Sequence, residues 1–227
     1  MKDKWIFIVM LCAVLAVTAA GGLCYYQFVY VPSQPTLTVF KPIVYLYGQA
    51  GQNVNVKFGY PGLITTSYPE YSVDDGWNVT IQDDGSLYDA SIGRSLYALY
   101  WEGKTGSKWI HYDEGFVVHR DSLIPFLERT LDQLGLSERE AEEFIIYWLP
   151  QLQESEYNYI YFESPSEIEA NMPLMVDPAP DHVIRVMMTW KPLQYPIDIP
   201  AQELAVVDRE EIEKSDFYVV EWGGTKF

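Results

Sequence analysis

No charged residue occurs between Lys4 and Lys41, and this gap constrains the chain more than any other feature. Within it residues 5–26 are almost all apolar. As a helix that stretch is about 33 Å long, the thickness of a bilayer hydrocarbon core. Lys2, Lys4 and the amino terminus outweigh Asp3 on the near flank, while Tyr25, Tyr26, Phe28 and Tyr30 fall at interface depth beyond it. Positive-inside logic places the N-terminus in the cytoplasm and the C-terminal domain outside, a single-pass protein of the cell membrane. A second route stays open, because the small residues of Val17-Thr18-Ala19 and Thr18-Ala19-Ala20 suit signal cleavage and secretion. The apolar run continues through Gly21-Gly22-Leu23 into the tyrosines, longer than a usual signal core, which favours an uncleaved anchor at 5–26. Leu23 before Cys24 argues against lipid attachment, where a small residue is wanted.

Both cysteines, Cys12 and Cys24, lie in the segment 1–30, so the exported part has no disulfide and no thiolate metal site. The chain carries 15 basic and 32 acidic residues, a net charge of −17; setting aside Lys2, Lys4 and Asp3 leaves 13 against 31, or −18. Such a surface offers no basic patch for counterion release, which excludes nucleic acid as a partner. Residues 31–38, with Pro32 and Pro35, read as a short stiff tether, and 39–227 as a single exported domain.

Patterning in that domain predicts strands at 43–47, 54–58, 77–81, 96–102, 108–112, 115–119, 157–162, 183–190 and 217–222, with a turn at 103–106. Asp83-Asp84-Gly85-Ser86 is a hairpin turn that Leu87-Tyr88 leaves. Leu123, Ile124, Leu127, Leu131 and Leu134 keep helical spacing, with Gly135 as the exit. Ser137 with Glu140 is a capping box opening a second helix, striped by Ala141, Phe144, Ile145, Trp148, Leu149 and Leu152. The proline-bearing stretch 165–181 reads as a loop and 201–214 as a short acidic helix. The expected class is α+β, mostly antiparallel sheet with an inserted αα-hairpin, after one N-terminal transmembrane or signal helix.

Lys41-Pro42-Ile43-Val44-Tyr45-Leu46-Tyr47, Tyr68-Pro69-Glu70-Tyr71, Gly76-Trp77, Tyr100-Trp101-Glu102-Gly103, Gly115-Phe116-Val117-Val118, Glu143-Phe144 with Tyr147-Trp148-Leu149-Pro150, and Val219-Val220-Glu221-Trp222-Gly223-Gly224 run in one order. In these motifs the chain resembles a family of uncharacterised exported proteins of Gram-positive gut bacteria with distant fungal relatives. Gly48 departs from the proline expected after the Tyr-Leu-Tyr run. The resemblance implies export and supplies no catalytic residues.

Two chemistries are expected to compete for this surface. Trp and Tyr rings stack on the apolar faces of sugars, so Trp77, Trp101, Trp109, Tyr147, Trp190 and Trp222 are candidates for binding a carbohydrate or cell-envelope ligand. The plain alternative is that these rings fill a core that no disulfide supports. Glu102 and Glu143 are the candidate pair for a glycoside-type hydrolase, which needs two carboxylates across a sugar bond; a solvated Glu143 and a strand-ending Glu102 are the alternative. A structural envelope component is the third reading. His111, His119 and His182 lack zinc-ligand spacing, although the first two fall on adjacent predicted strands, so no metal and no cofactor are expected. Asp74-Asp75-Gly76 and Asp83-Asp84-Gly85 read as turns, and there is no Gly-x-Ser-x-Gly elbow or phosphate-cradling loop.

Overall fold

The computed structural model describes residues 36–60, 62–106 and 110–227. The predicted membrane segment 1–30, the first part of the tether and Trp109 lie outside the described residues. Among those described, no helix is long and apolar enough to cross a membrane.

Thr36–Phe227 is one compact unit of mixed α+β structure. Its larger sheet has the order β3 (Leu63–Tyr68), β7 (Leu99–Gly106), β1 (Thr36–Tyr47), β12 (Tyr218–Lys226), β11 (His182–Leu193), β9 (Tyr157–Phe162) and β8 (Phe116–His119). The smaller has β10 (Leu174–Asp177), β2 (Asn53–Phe58), β4 (Trp77–Ile81), β5 (Leu87–Asp89) and β6 (Arg94–Leu96). Pairing is antiparallel throughout except between β11 and β12. Among the described residues four α-helices accompany them: α1 (Leu123–Gln133), α2 (Glu138–Leu152), α3 (Pro165–Asn171) and α4 (Arg209–Ile212). The four-residue link between α1 and α2 brings them together, and Ser137 opens α2 with the predicted capping box.

Strand alternation sorts the residues of the larger sheet into two cores, because successive side chains leave opposite faces. Ile43 and Tyr45 of β1, Val220 and Trp222 of β12, and Val186, Met188 and Trp190 of β11 pack with Leu127, Phe144 and Trp148 of α1 and α2. Val44, Leu46, Leu99, Trp101 and Val219 face the other way, onto Val54, Val56, Trp77 and Val79 of the smaller sheet and Ile168 of α3. The larger sheet is thus a middle layer, covered by helices on one face and by a second sheet on the other. Gly224 permits the close approach of α2, since a Cβ there would stand 2.6 Å from the Met188 carbonyl and 2.8 Å from Trp148.

Several local expectations are corrected. The predicted strand 96–102 divides: Leu96 ends β6 in one sheet and Leu99 begins β7 in the other. The predicted turn 103–106 is instead strand, held between β1 and β3, with Gly103 opposite both Val39 and Ile64. Residues 110–112, in the predicted strand 108–112, are irregular. β3 was not expected. The predicted loop 165–181 contains α3, opened by a Ser164–Glu167 capping box with Pro165 in its first turn, and β10, which pairs with β2. The predicted helix 201–214 contracts to α4.

Candidate functional site

Four of the candidate ligand-binding rings are interior. Trp77, Trp101, Trp190 and Trp222 are each 2% exposed or less, so they fill the two cores and present no face to a ligand. Three have their indole N–H groups satisfied inside: Trp77 donates to the Pro69 carbonyl, Trp101 to Glu221 and Trp222 to the Tyr45 hydroxyl. Tyr147 is half-buried, edge-on to Trp148 and beneath the Lys41 ammonium.

The two carboxylate candidates, Glu143 on α2 and Glu102 on β7, belong to a row of tyrosine–carboxylate contacts along one face of the larger sheet. Tyr47 donates to Glu140 and Tyr45 donates to Glu143, at 2.5 and 2.7 Å. Burial first, and then the facing carboxylates, push both phenols far above their ordinary range. Glu143 therefore turns one oxygen to the sheet while its side chain stays a quarter exposed, with Arg139 on its outer side at 3.1 Å. At the other end of the row β1 bulges between Phe40 and Ile43, with Lys41 at a φ of 60°. The bulge aims the Lys41 backbone N–H at Glu102, 3.2 Å away, and sets its ammonium over Tyr100 and Tyr147. Burial and the neighbouring Glu102 carboxylate also raise the Tyr100 phenol. Glu102 and Glu143 thus border one face but bind different tyrosines.

That face opens at the sheet edge. Tyr68, Tyr100, Ile43 and Trp222 are cross-strand neighbours in one rung, from the edge strand β3 to the covered strand β12. The helices bury the inner end of this rung and leave the outer end free: Trp222 is sealed, Tyr100 half-buried and Tyr68 48% exposed. Tyr97, 54% exposed, stands where the chain crosses from β6 to β7, against Tyr45 and under the Arg139 guanidinium. With Arg94 and Ala98 these tyrosines line a groove of about 390 Å³. A wider cavity, about 740 Å³, lies along β8 and is lined by His119, Phe126, Arg129, Tyr157 and Ile197; it holds none of the predicted residues.

On the opposite face of the middle sheet a second cluster forms. Glu163 directly follows β9, held to β11 by its backbone N–H on the Met187 carbonyl, and Glu167 sits in the first turn of α3. His111 Nε2 lies 3.1 Å from Glu163 and 3.4 Å from Glu167, with the imidazole stacked on Tyr161 at 4.2 Å. Burial, reinforced by Glu167, pushes the Glu163 carboxyl up to about 8, although a hydrogen bond from Thr189 opposes the shift. These three are the described residues whose ligand atoms could converge on a metal ion, and reading the sequence missed them as a group. They span more than fifty positions, and the pairing considered there, His111 with His119, does not form: His119 faces Tyr157 at the far end of β9. The available signal was Ser164-x-x-Glu167, which places Glu167 at a helix start.

No protein-family model matches the chain, and no solved structure matches it. The chain is similar to an uncharacterized protein in the bglA 3' region of Butyrivibrio fibrisolvens, 36% identical over 64 residues. The match takes in 28% of this chain and 65% of that protein, so the chain spans less than two thirds of its relative's length.

Proposed function

We propose that this chain is an extracytoplasmic binding module, anchored by a single pass at residues 5–26, and that the tyrosine groove at the β3–β7 edge takes a carbohydrate. The observation that carries the reading is the exposure of Tyr68 and Tyr97 beside the half-buried Tyr100 in one groove. Flat phenol faces in an open groove match the apolar faces of pyranose rings. Arg94 on the wall, with Arg139 and Glu143 beyond Tyr97, supplies donors and acceptors for hydroxyls. The Lys41 ammonium over its ring and the Glu102 carboxylate beside its hydroxyl hold Tyr100 in place, which lowers the entropy lost on binding. The test uses the full chain in detergent against a panel of cell-wall polysaccharides and plant glycans. Binding to one glycan class is expected; no binding across the panel contradicts the carbohydrate reading. Membrane fractionation with N-terminal sequencing tests the anchor: an intact N-terminus in the membrane fraction is expected, and a chain starting near Ala20 contradicts it.

A further inference from the structure

We propose that His111, Glu163 and Glu167 bind a divalent transition-metal ion, with Zn²⁺ the best match to their donor set. Their ligand atoms all lie within 4.8 Å of one another. An ion about 2.1 Å from each ligand sets neighbouring ligand atoms about 3.0 Å apart in an octahedron and about 3.4 Å apart in a tetrahedron. The two separations from His111 Nε2, 3.1 and 3.4 Å, fall on those edges.

The hydrogen bonding points the same way. Each carboxylate has one oxygen held by the protein and the other turned to the imidazole. Thr189 donates to Glu163 Oε1, leaving Oε2 on His111; the Ser164 N–H and the Tyr161 hydroxyl donate to Glu167 Oε2, leaving Oε1. Such outer partners fix ligand orientation in metal centres. A single proton on Nε2 serves one of the two facing oxygens, whereas an ion serves all three ligands at once. Charge is the second, independent observation. The Glu163 side chain is 1% exposed, and among the described residues the ion pairs of Glu163 and Glu167 are with His111, with no Lys or Arg. In the ionised form that ligation uses, a buried carboxylate beside a second one needs a positive partner, and a divalent ion supplies it. His111 is a quarter exposed, which gives the ion an entry side and leaves coordination positions for water.

The experiment is a titration of the full chain in detergent, stripped with chelator, with Zn²⁺ in competition with a chromophoric chelator. One equivalent per chain is expected, with a higher unfolding midpoint. Glu167→Gln keeps the oxygen that caps α3 and should weaken binding at least tenfold, while His111→Ala should abolish the stoichiometric site. Glu163→Gln serves as the third variant if it folds by tryptophan fluorescence; the other two decide the matter without it. Absence of one-equivalent binding overturns the proposal, as does equal affinity in His111→Ala and the unsubstituted chain. Preference for Ca²⁺ over Zn²⁺ overturns the transition-metal assignment.

Discussion

The two ends of the β1–α2 seam use the same chemistry and reach opposite states. At the closed end Glu140 is fully buried and takes the Tyr47 hydroxyl, the Ser137 N–H and both terminal nitrogens of Arg209, while Tyr47 stacks on Tyr218 at 4.7 Å. The Glu140 carboxylate, the Tyr47 hydroxyl and the Arg209 guanidinium all have partners inside the protein. At the open end Glu143, Glu102, Tyr100 and Tyr97 form the same kinds of contact, yet the helix layer stops short and Tyr68 and Tyr97 meet solvent. Residue type is shared between the ends. What separates a structural cluster from a candidate site is where the covering layer ends and which groups keep unused bonding capacity.

The comparison can be broken first at the closed end. Glu140→Ala leaves the Tyr47 hydroxyl without its acceptor and Arg209 with only Glu213 and the Gly135 carbonyl, and should cost about 3 kcal/mol in chemical denaturation. A loss no larger than that of Glu143→Ala would contradict the distinction between the ends. The cluster on the opposite sheet face gives the next effect. The Glu163 carboxyl is raised from 4.5 to about 8 in the folded chain, so between those values the folded state holds a proton that the unfolded state has released. Its contribution is fully present below about pH 4.5 and is lost as pH rises through about 8. In chelator, the stability of the unsubstituted chain relative to Glu163→Gln should fall by about 1–4 kcal/mol across that window. A flat difference would contradict the burial of this carboxylate without a Lys or Arg partner among the described residues. Glu143→Ala, at a position whose side chain is a quarter exposed, should cost about 1 kcal/mol.

Legibility from sequence followed the range of the interactions. The Ser137–Glu140 capping box and the stripe through Phe144 and Trp148 were readable because helices are specified by residues three and four apart. β9 and β12 were readable as short runs rich in aromatic and β-branched residues. β3 was not, since Leu63–Tyr68 lies between Pro61 and Pro69 with polar Thr65, Thr66 and Ser67, and its strand state comes from pairing with β7. The pairing of β10 with β2 joins segments more than a hundred residues apart and leaves no local mark. For the site, aromatic richness was visible but its sorting was not. Trp101 and Tyr100 are adjacent in sequence and face different layers, so one is core and the other lines the groove. Glu102 and Glu143 were singled out and do border one face; Glu102 lies beside Tyr100 on β7, whereas the Tyr45–Glu143 contact comes only from the helix placement.

The central claim is that the outer end of the tyrosine rung binds and the inner end supports. It is tested most directly by glycan affinity and unfolding midpoint measured together on the Tyr68→Ala, Tyr97→Ala double variant. Both residues are about half exposed, so the loss of stability should stay within about 1 kcal/mol per site while affinity falls at least tenfold. Unchanged affinity in that folded double variant would contradict the account.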